Sequence, residues 1–113
     1  MSAMNAEELC FLSATELARL IRERKVSAVE VMRAHLQQIE RVNPTVNAIV
    51  TLVPERALAA AGDIDKRLAS GEAVGPLAGL PVVHKDLVPT KGIRTTFGSP
   101  IYRDHLPEVD AIV

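Results

Sequence analysis

Two four-residue phrases fourteen positions apart constrain this chain most: Ser13-Ala-Thr-Glu16 and Ser27-Ala-Val-Glu30. In each, a serine hydroxyl can accept the amide hydrogen of the third helical residue, and the glutamate at that position can reach back to the serine amide. Leu12 and Leu17 flank the first box, and Val26 and Val31 the second, at the spacing of a hydrophobic staple. The first predicted helix puts Leu17, Leu20 and Ile21 on one face and leaves Arg19, Arg22, Glu23 and Arg24 as a solvated face. The second carries Val29, Met32, Leu36 and Ile39 at helical spacing and is expected to end near Asn43-Pro44. The chain therefore opens with two consecutive helices.

Downstream the pattern changes. Residues 47–53, Asn-Ala-Ile-Val-Thr-Leu-Val, predict a strand, and Pro54 suits the first position of a helix. Ala57, Leu58, Ala61, Ile64 and Leu68 carry that helix to about Ser70, where Gly71 stops it. A loop from Gly71 to Gly79 leads to a second predicted strand over 82–88, bounded by Gly79-Leu80-Pro81 and Pro89. Alternating strands and helices argue for an α/β layer architecture. Near-continuous apolar strands want cover on both faces, and two strands cannot form such a sheet, so further strands are expected from sequence not shown. The second strand holds an unusual residue. Period-two geometry groups Lys85 with Val83 and Leu87, while Val82, His84, Asp86 and Val88 face the other way. Burial without a partner disfavours an ammonium relative to the neutral amine, and a neutral lysine amine is a base. Taken alone, though, a lysine in a strand is more often an edge residue whose ammonium snorkels to water.

Composition narrows the function classes. At 113 residues with 48% hydrophobic content, the chain is the size of one modest domain and can form a core. The net charge of −1 and only three aromatics, Phe11, Phe97 and Tyr102, give neither an electrostatic footprint nor a stacking platform for nucleic acid. No apolar run approaches a membrane span, and the N-terminus lacks a charged-then-apolar leader pattern. The single Cys10 excludes an intrachain disulfide and fits a reducing, cytoplasmic setting; a small packed thiol is its expected role. His35, His84 and His105 are scattered without metal-ligand spacing, so no metal is expected. His84 is expected to be a hydrogen-bonded packing residue. Gly75-x-x-x-Gly79 precedes a strand rather than a helix and is not a phosphate loop. Asp104, Glu108 and Asp110 are expected in a solvated, proline-containing turn.

Three blocks carry more specific information. They are Gly75-Pro-Leu-Ala-Gly-Leu-Pro-Val-Val-His-Lys-Asp-Leu87, Lys91-Gly-Ile-Arg-Thr-Thr-Phe-Gly-Ser-Pro100 and Pro107-Glu-Val-Asp-Ala-Ile-Val113. In this order they closely resemble the amidase signature family, and the resemblance extends upstream to about Leu12. It implies the N-terminal portion of a mixed-sheet amidase-signature fold covered by helices, incomplete as given. The helical start spans about 13–43 and the α/β part about 47–113. It also implies hydrolysis of a carboxylic amide, without cofactor, through a Ser–cis-Ser–Lys triad. In that chemistry one serine attacks the carbonyl, a bridging serine relays its proton, and the lysine is the final base, a role the resemblance assigns to Lys85 alone. Thr95 and Thr96 are weak candidates for lining the substrate region; hydrogen bonding within a turn explains them equally well.

The departure from the family is large. Ser2, Ser13, Ser27, Ser70 and Ser99 are the serines present, and none lies in a Gly-Gly-Ser-Ser-type stretch. Ser99 belongs to the Thr-Thr-x-Gly-Ser block, which the resemblance implies shapes the pocket region and does not supply the nucleophile. The chain thus has a base with no hydroxyl to deprotonate. Its last residues resemble a helix entry, with Asp110 as N-cap and Ala111-Ile112-Val113 as a first turn too short to stand alone, so a cut through an element is expected. The implied partner is a small-molecule amide; no nucleic acid is bound directly and no membrane is involved, and homo-oligomerisation stays open. The glutamine-amidase component of an aminoacyl-tRNA amidotransferase shares these motifs and would bring partner subunits. Leu87 stands where that enzyme typically has Asn after Lys-Asp, which favours a stand-alone amidase. A catalytically inert truncated product is the alternative of a different class.

Overall fold

The computed structural model describes residues 4–112; Ser2 and Val113 of the readings above lie outside them. Helices dominate: α1 Ala6–Cys10, α2 Ala14–Arg22, α3 Ala28–Val46, α4 Pro54–Ala69 and a 3-10 turn, Pro100–Tyr102. The chain divides into two compact units. One comprises Met1–Val46 with Pro54–Pro81, the other Asn47–Val53 with Val82–Val113.

The helical unit is assembled from its caps. Ser27 and Glu30 close the expected box, with Glu30 N–H donating to Ser27 Oγ at 3.0 Å and Ser27 N–H to Glu30 Oε2 at 2.8 Å. At α2 only half the box forms. Ser13 Oγ accepts the Glu16 amide, while the Glu16 carboxylate turns to the Arg19 guanidinium instead. A third box, Asn5 with Glu8, starts α1. Asp65 of α4 adds a long-range cap, its two carboxylate oxygens accepting the Ala28 and Val29 amides at 2.7 and 3.1 Å. With Ser27, Asp65 satisfies the first three amides of α3 and lies at the positive end of the helix dipole.

α1 and α4 both pack on α3. Leu9, Leu17, Ile21, Val31 and Ala34 form the core, with Leu12, Val26, Leu68 and Leu80 against it. The expected stripe of Val29, Met32, Leu36 and Ile39 is only half-buried; the buried face of α3 is Ala28, Val31 and Ala34. Small residues let neighbouring helices approach there, so packing rather than hydrophobicity decides the innermost face. α3 also runs past Pro44 to Val46. A proline near a helix end removes one amide bond without having to break the turn, and Asn47, with φ +49°, supplies the left-handed stop. α4 ends as expected at Gly71 (φ +77°), where Gly71 N–H donates to Leu68 O and Glu72 N–H to Arg67 O.

Gly79 sits where the fold leaves no room for a side chain. At φ +86°, a Cβ there would lie 3.1 Å from Ile21 Cγ2 and 3.3 Å from Ala28 Cβ. It lets the Gly75–Pro81 loop sit directly on the base of α2 and α3.

The predicted strands do not form. Among the described residues, the only β pairing is an isolated bridge between Thr90 and Ile93. Residues 47–53 have no regular secondary structure, with Val50 and Leu52 exposed. The run over 82–88 loses its period-two geometry at Asp86-Leu87, a turn closed by Val88 N–H donating to Lys85 O at 2.9 Å. An apolar run becomes a strand only when a neighbour accepts its ladder bonds, and neither run forms a β ladder among the described residues. Gly92 donates to Pro107 O and Thr95 to His105 O, but Pro107 has no N–H to return, so this pairing does not grow into a ladder either.

Candidate active-site segment

The second unit is held together by bonds that converge on Asp86. Its Oδ1 accepts the Thr96 amide at 2.8 Å, its Oδ2 accepts the Thr96 hydroxyl, and its backbone carbonyl accepts the Phe97 amide at 2.9 Å. The Thr96 hydroxyl in turn accepts the Gly98 amide at 3.3 Å. These bonds to Thr96, the hydroxyl first and the amide second, hold the Asp86 carboxyl below its ordinary range against the opposing effect of desolvation, and the Gly98 amide and the charge of Arg94 add smaller lowering.

The block from Thr95 to Ser99 is shaped for this role. Phe97 and Gly98 both have positive φ, +54° and +69°, and a bulky residue such as Phe97 adopts that conformation only when its surroundings enforce it. Phe97 packs edge-on against Tyr102 with ring centroids 5.1 Å apart, and the His105 ring lies 5.9 Å away. Ser99 caps the 3-10 turn through Ile101 N–H. Arg94 joins the extended segment to this block, its Nη1 donating to Thr51 Oγ1 at 3.2 Å and its Nε to the Arg103 carbonyl.

Lys85 is exposed rather than set among hydrocarbon, as are Val82, Val83 and Leu87. The expectation of a buried amine on an aliphatic face is corrected within these residues, because no sheet forms to cover that face. No ion pair to Lys85 is present among the described residues. Thr95 and Thr96 are buried; the Thr95 hydroxyl donates to Ile93 O and the Thr96 hydroxyl to Asp86. His84 is exposed, not packed. Asp110 does not cap a helix: its carboxylate accepts the Lys91 amide at 2.7 Å, and residues 110–112 are not helical.

Sequence reasoning places Lys85 and the two threonines on one segment but misses that Asp86 joins the lysine turn to Thr96. The available signal is an aspartate ten residues before a Thr-Thr-x-Gly turn, a pairing that becomes visible only when the two loops meet. Cys10, half-buried, directs its thiol to the Ala34 carbonyl, and burial pushes it up, with Glu7 adding to the effect. Among the described residues no group of three or more His, Cys, Asp or Glu side chains converges as a metal site, and no helix is long and apolar enough to cross a membrane.

Comparison with known proteins follows the same blocks. The family model described as Amidase matches residues 30–113. A glutamyl-tRNA(Gln) amidotransferase subunit of Carboxydothermus hydrogenoformans is 45% identical over 106 residues, covering 94% of this chain and 22% of the relative. The corresponding protein of Salinispora tropica is 47% identical over 106 residues, again 94% of this chain and 22% of the relative. Among solved structures, a bacterial aryl acylamidase of the amidase signature enzymes superposes with a TM-score of 0.82 at 30% identity, over 91% of this chain and 21% of that one. A chain from a vestigial protein complex connected with the origins of an s-triazine catabolic enzyme gives 0.82 at 36% identity, over 88% of this chain and 22% of that one. The chain spans about a fifth of the length of the curated relatives it matches.

Proposed function

The chain belongs to the amidase family, and from that premise we propose that it supplies the lysine base for cleavage of a small carboxylic amide. Residues 1–113 are the N-terminal part of an amidase-signature domain, and both triad serines come from sequence outside them. The Lys85 amine takes a proton from the bridging serine, which takes the proton of the attacking serine. A serine Oγ–carbon bond forms as the amide C–N bond breaks, and the departing nitrogen carries the proton away. Water then releases the acid from the acyl-serine. The reading is carried by one observation: the family match spans both the Lys85-Asp86 turn and the Thr95-Thr96 block that fixes it. In the whole domain, 47–53 and 82–88 join a mixed sheet whose other strands cover the face that holds Lys85. A cytoplasmic enzyme without a cofactor fits this chemistry.

A second reading has its own support. The amidotransferase relatives share 45 and 47% identity with this chain, whereas the aryl acylamidase shares 30%. On that reading the substrate is glutamine and partner subunits receive the ammonia. Leu87 remains the residue that separates the chain from that pattern.

The test is Lys85→Ala in the full-length protein, assayed on p-nitroacetanilide and on glutamine. Loss of a positioned base is expected to lower kcat/KM by about 10²- to 10⁴-fold. Retained turnover removes Lys85 from the chemistry, and turnover of glutamine alone selects the second reading. The 113-residue chain by itself is expected to hydrolyse neither substrate above its own Lys85→Ala control.

A further inference from the structure

The geometry points to Asp86 and Thr96 as a positioning clamp for Lys85: Thr96 fixes the turn that carries the lysine and occupies the carboxylate that would otherwise pair with its amine. The inference rests on the reading of Lys85 as the base and adds two residues to it.

Two observations carry it. The first is mechanical. Lys85 has a flexible four-carbon stem, so its amine is only as well placed as its Cα. Its neighbour Asp86 is pinned by three bonds, one through each carboxylate oxygen and one through the backbone carbonyl, all to Thr96 and Phe97. Thr96 is itself almost fully buried, 6% exposed, and its hydroxyl is oriented by the Gly98 amide. The turn over Lys85–Val88, closed by the Val88 amide, is thus fastened to a block in which two consecutive residues have left-handed backbone.

The second is electrostatic. A carboxylate next to a lysine in sequence is the obvious partner for its ammonium, and such a pair favours the charged form, which cannot act as a base. Here both Asp86 oxygens are committed to Thr96, and no ion pair to Lys85 is present among the described residues. Arg94 is the other charge that acts on Asp86, and it favours the ionised carboxylate. Freeing Oδ2 would return a counter-ion to the lysine.

The experiment uses Thr96→Val and Thr96→Ser in the full-length protein. Valine keeps the shape and the backbone amide but removes the hydroxyl, and serine restores the hydroxyl. Without substrate, Thr96→Val is expected to raise hydrogen exchange at the Val88 amide at least tenfold, and Thr96→Ser to return it to within threefold. With p-nitroacetanilide or glutamine, Thr96→Val is expected to lower kcat at least threefold with KM within twofold, and to move the acid limb of kcat/KM to higher pH. Serine is expected to reverse both. Unchanged Val88 exchange, or a serine variant as impaired as the valine one, overturns the clamp. Should Thr96→Val not fold, Asp86→Ala carries the exchange and kcat readouts with the same thresholds, and its acid limb is expected to stay in place because no carboxylate is left to pair with the lysine. The two failures remain distinct. If Lys85→Ala is inactive and Thr96→Val stays within threefold of wild type, the clamp fails and the base stands. If Lys85→Ala keeps its activity, the base fails and the clamp with it.

Discussion

The helical unit and the Lys85 unit, each taken by itself, solve the problem of an apolar sequence differently. In the helical unit the core side chains of α2 and α3 are inside, with Ile21 1% and Val31 0% exposed. In the other unit many large aliphatic residues are outside, with Val82 at 71% and Ile101 at 87%. The difference does not follow from hydrophobicity, since both segments are rich in Val, Leu and Ile. A helix satisfies its backbone within itself and has only one face left to bury, which a neighbouring helix can do. An extended segment needs partners for its amides and carbonyls before either face can be covered. The second unit meets that need with side chains, Asp86, Thr96, Arg94 and Asp110, and with scattered backbone bonds such as Phe97 N–H to Asp86 O, where a sheet would use a ladder. Its order is polar and local, while that of the helical unit is apolar and shared.

Large-to-small substitutions test this contrast most strongly. Ile21→Ala removes a fully buried side chain from the centre of the helical unit and is expected to cost about 2–5 kcal/mol, read as faster amide exchange across α2 in the full-length protein. Leu87→Ala distinguishes two descriptions of the other unit. If Leu87 stays exposed, as it is among these residues, the change costs less than about 0.5 kcal/mol. If the rest of the domain covers that face, the cost approaches that of Ile21→Ala, and the proposed sheet gains direct support. An equal, small effect at both positions would remove the distinction between the units.

Gly79→Ala is the next smaller perturbation. Its Cβ would crowd Ile21 and Ala28 and impose left-handed backbone on alanine, an expected loss of about 1–3 kcal/mol. A melting temperature indistinguishable from wild type would mean that the loop does not need to lie on the α2–α3 base.

How much of this is legible in the sequence depends on the range of the interaction. The helix starts at Ser13 and Ser27, Pro54 at the head of α4 and Gly71 at its end follow from residues within four positions of one another, and the structure has them. Asn5 with Glu8 obeys the same rule but is hidden in a polar terminal stretch. Asp65 cannot be read at all. It looks like a solvated helix residue, and only the packing of α4 on α3 brings it to the amides of Ala28 and Val29. The strands fail for a related reason, because the two runs form no ladder among the described residues. At the candidate site, the motif blocks place Lys85 and Thr96 on one segment. The Asp86 connection joins residues ten apart through two loops, and no periodicity announces it.

Acid pH gives the finest test of the contrast, since both units hold carboxylates by different means. Glu16 and Glu23 on α2 are lowered mainly by hydrogen-bonded cations, Glu16 by Arg19 and Glu23 by Lys25 and then Arg19. These are surface pairs that salt screens. Asp86 is lowered chiefly by a neutral hydroxyl and an amide, which salt hardly affects. For all three, the folded value lies below the unfolded one. The stability they contribute is therefore present above pH of about 4, where the unfolded groups are ionised, and is lost as pH falls through the folded values. Carbon-detected titration of the full-length protein at low and high salt should show Glu16 and Glu23 rising toward their ordinary value in salt while Asp86 stays low. In Thr96→Val, Asp86 should rise at either salt, so that the second unit loses its acid resistance at a higher pH. An Asp86 that titrates like a free aspartate in wild-type protein would mean that the hydroxyl and amide of Thr96 do not hold it, and the polar order of the second unit would need another source.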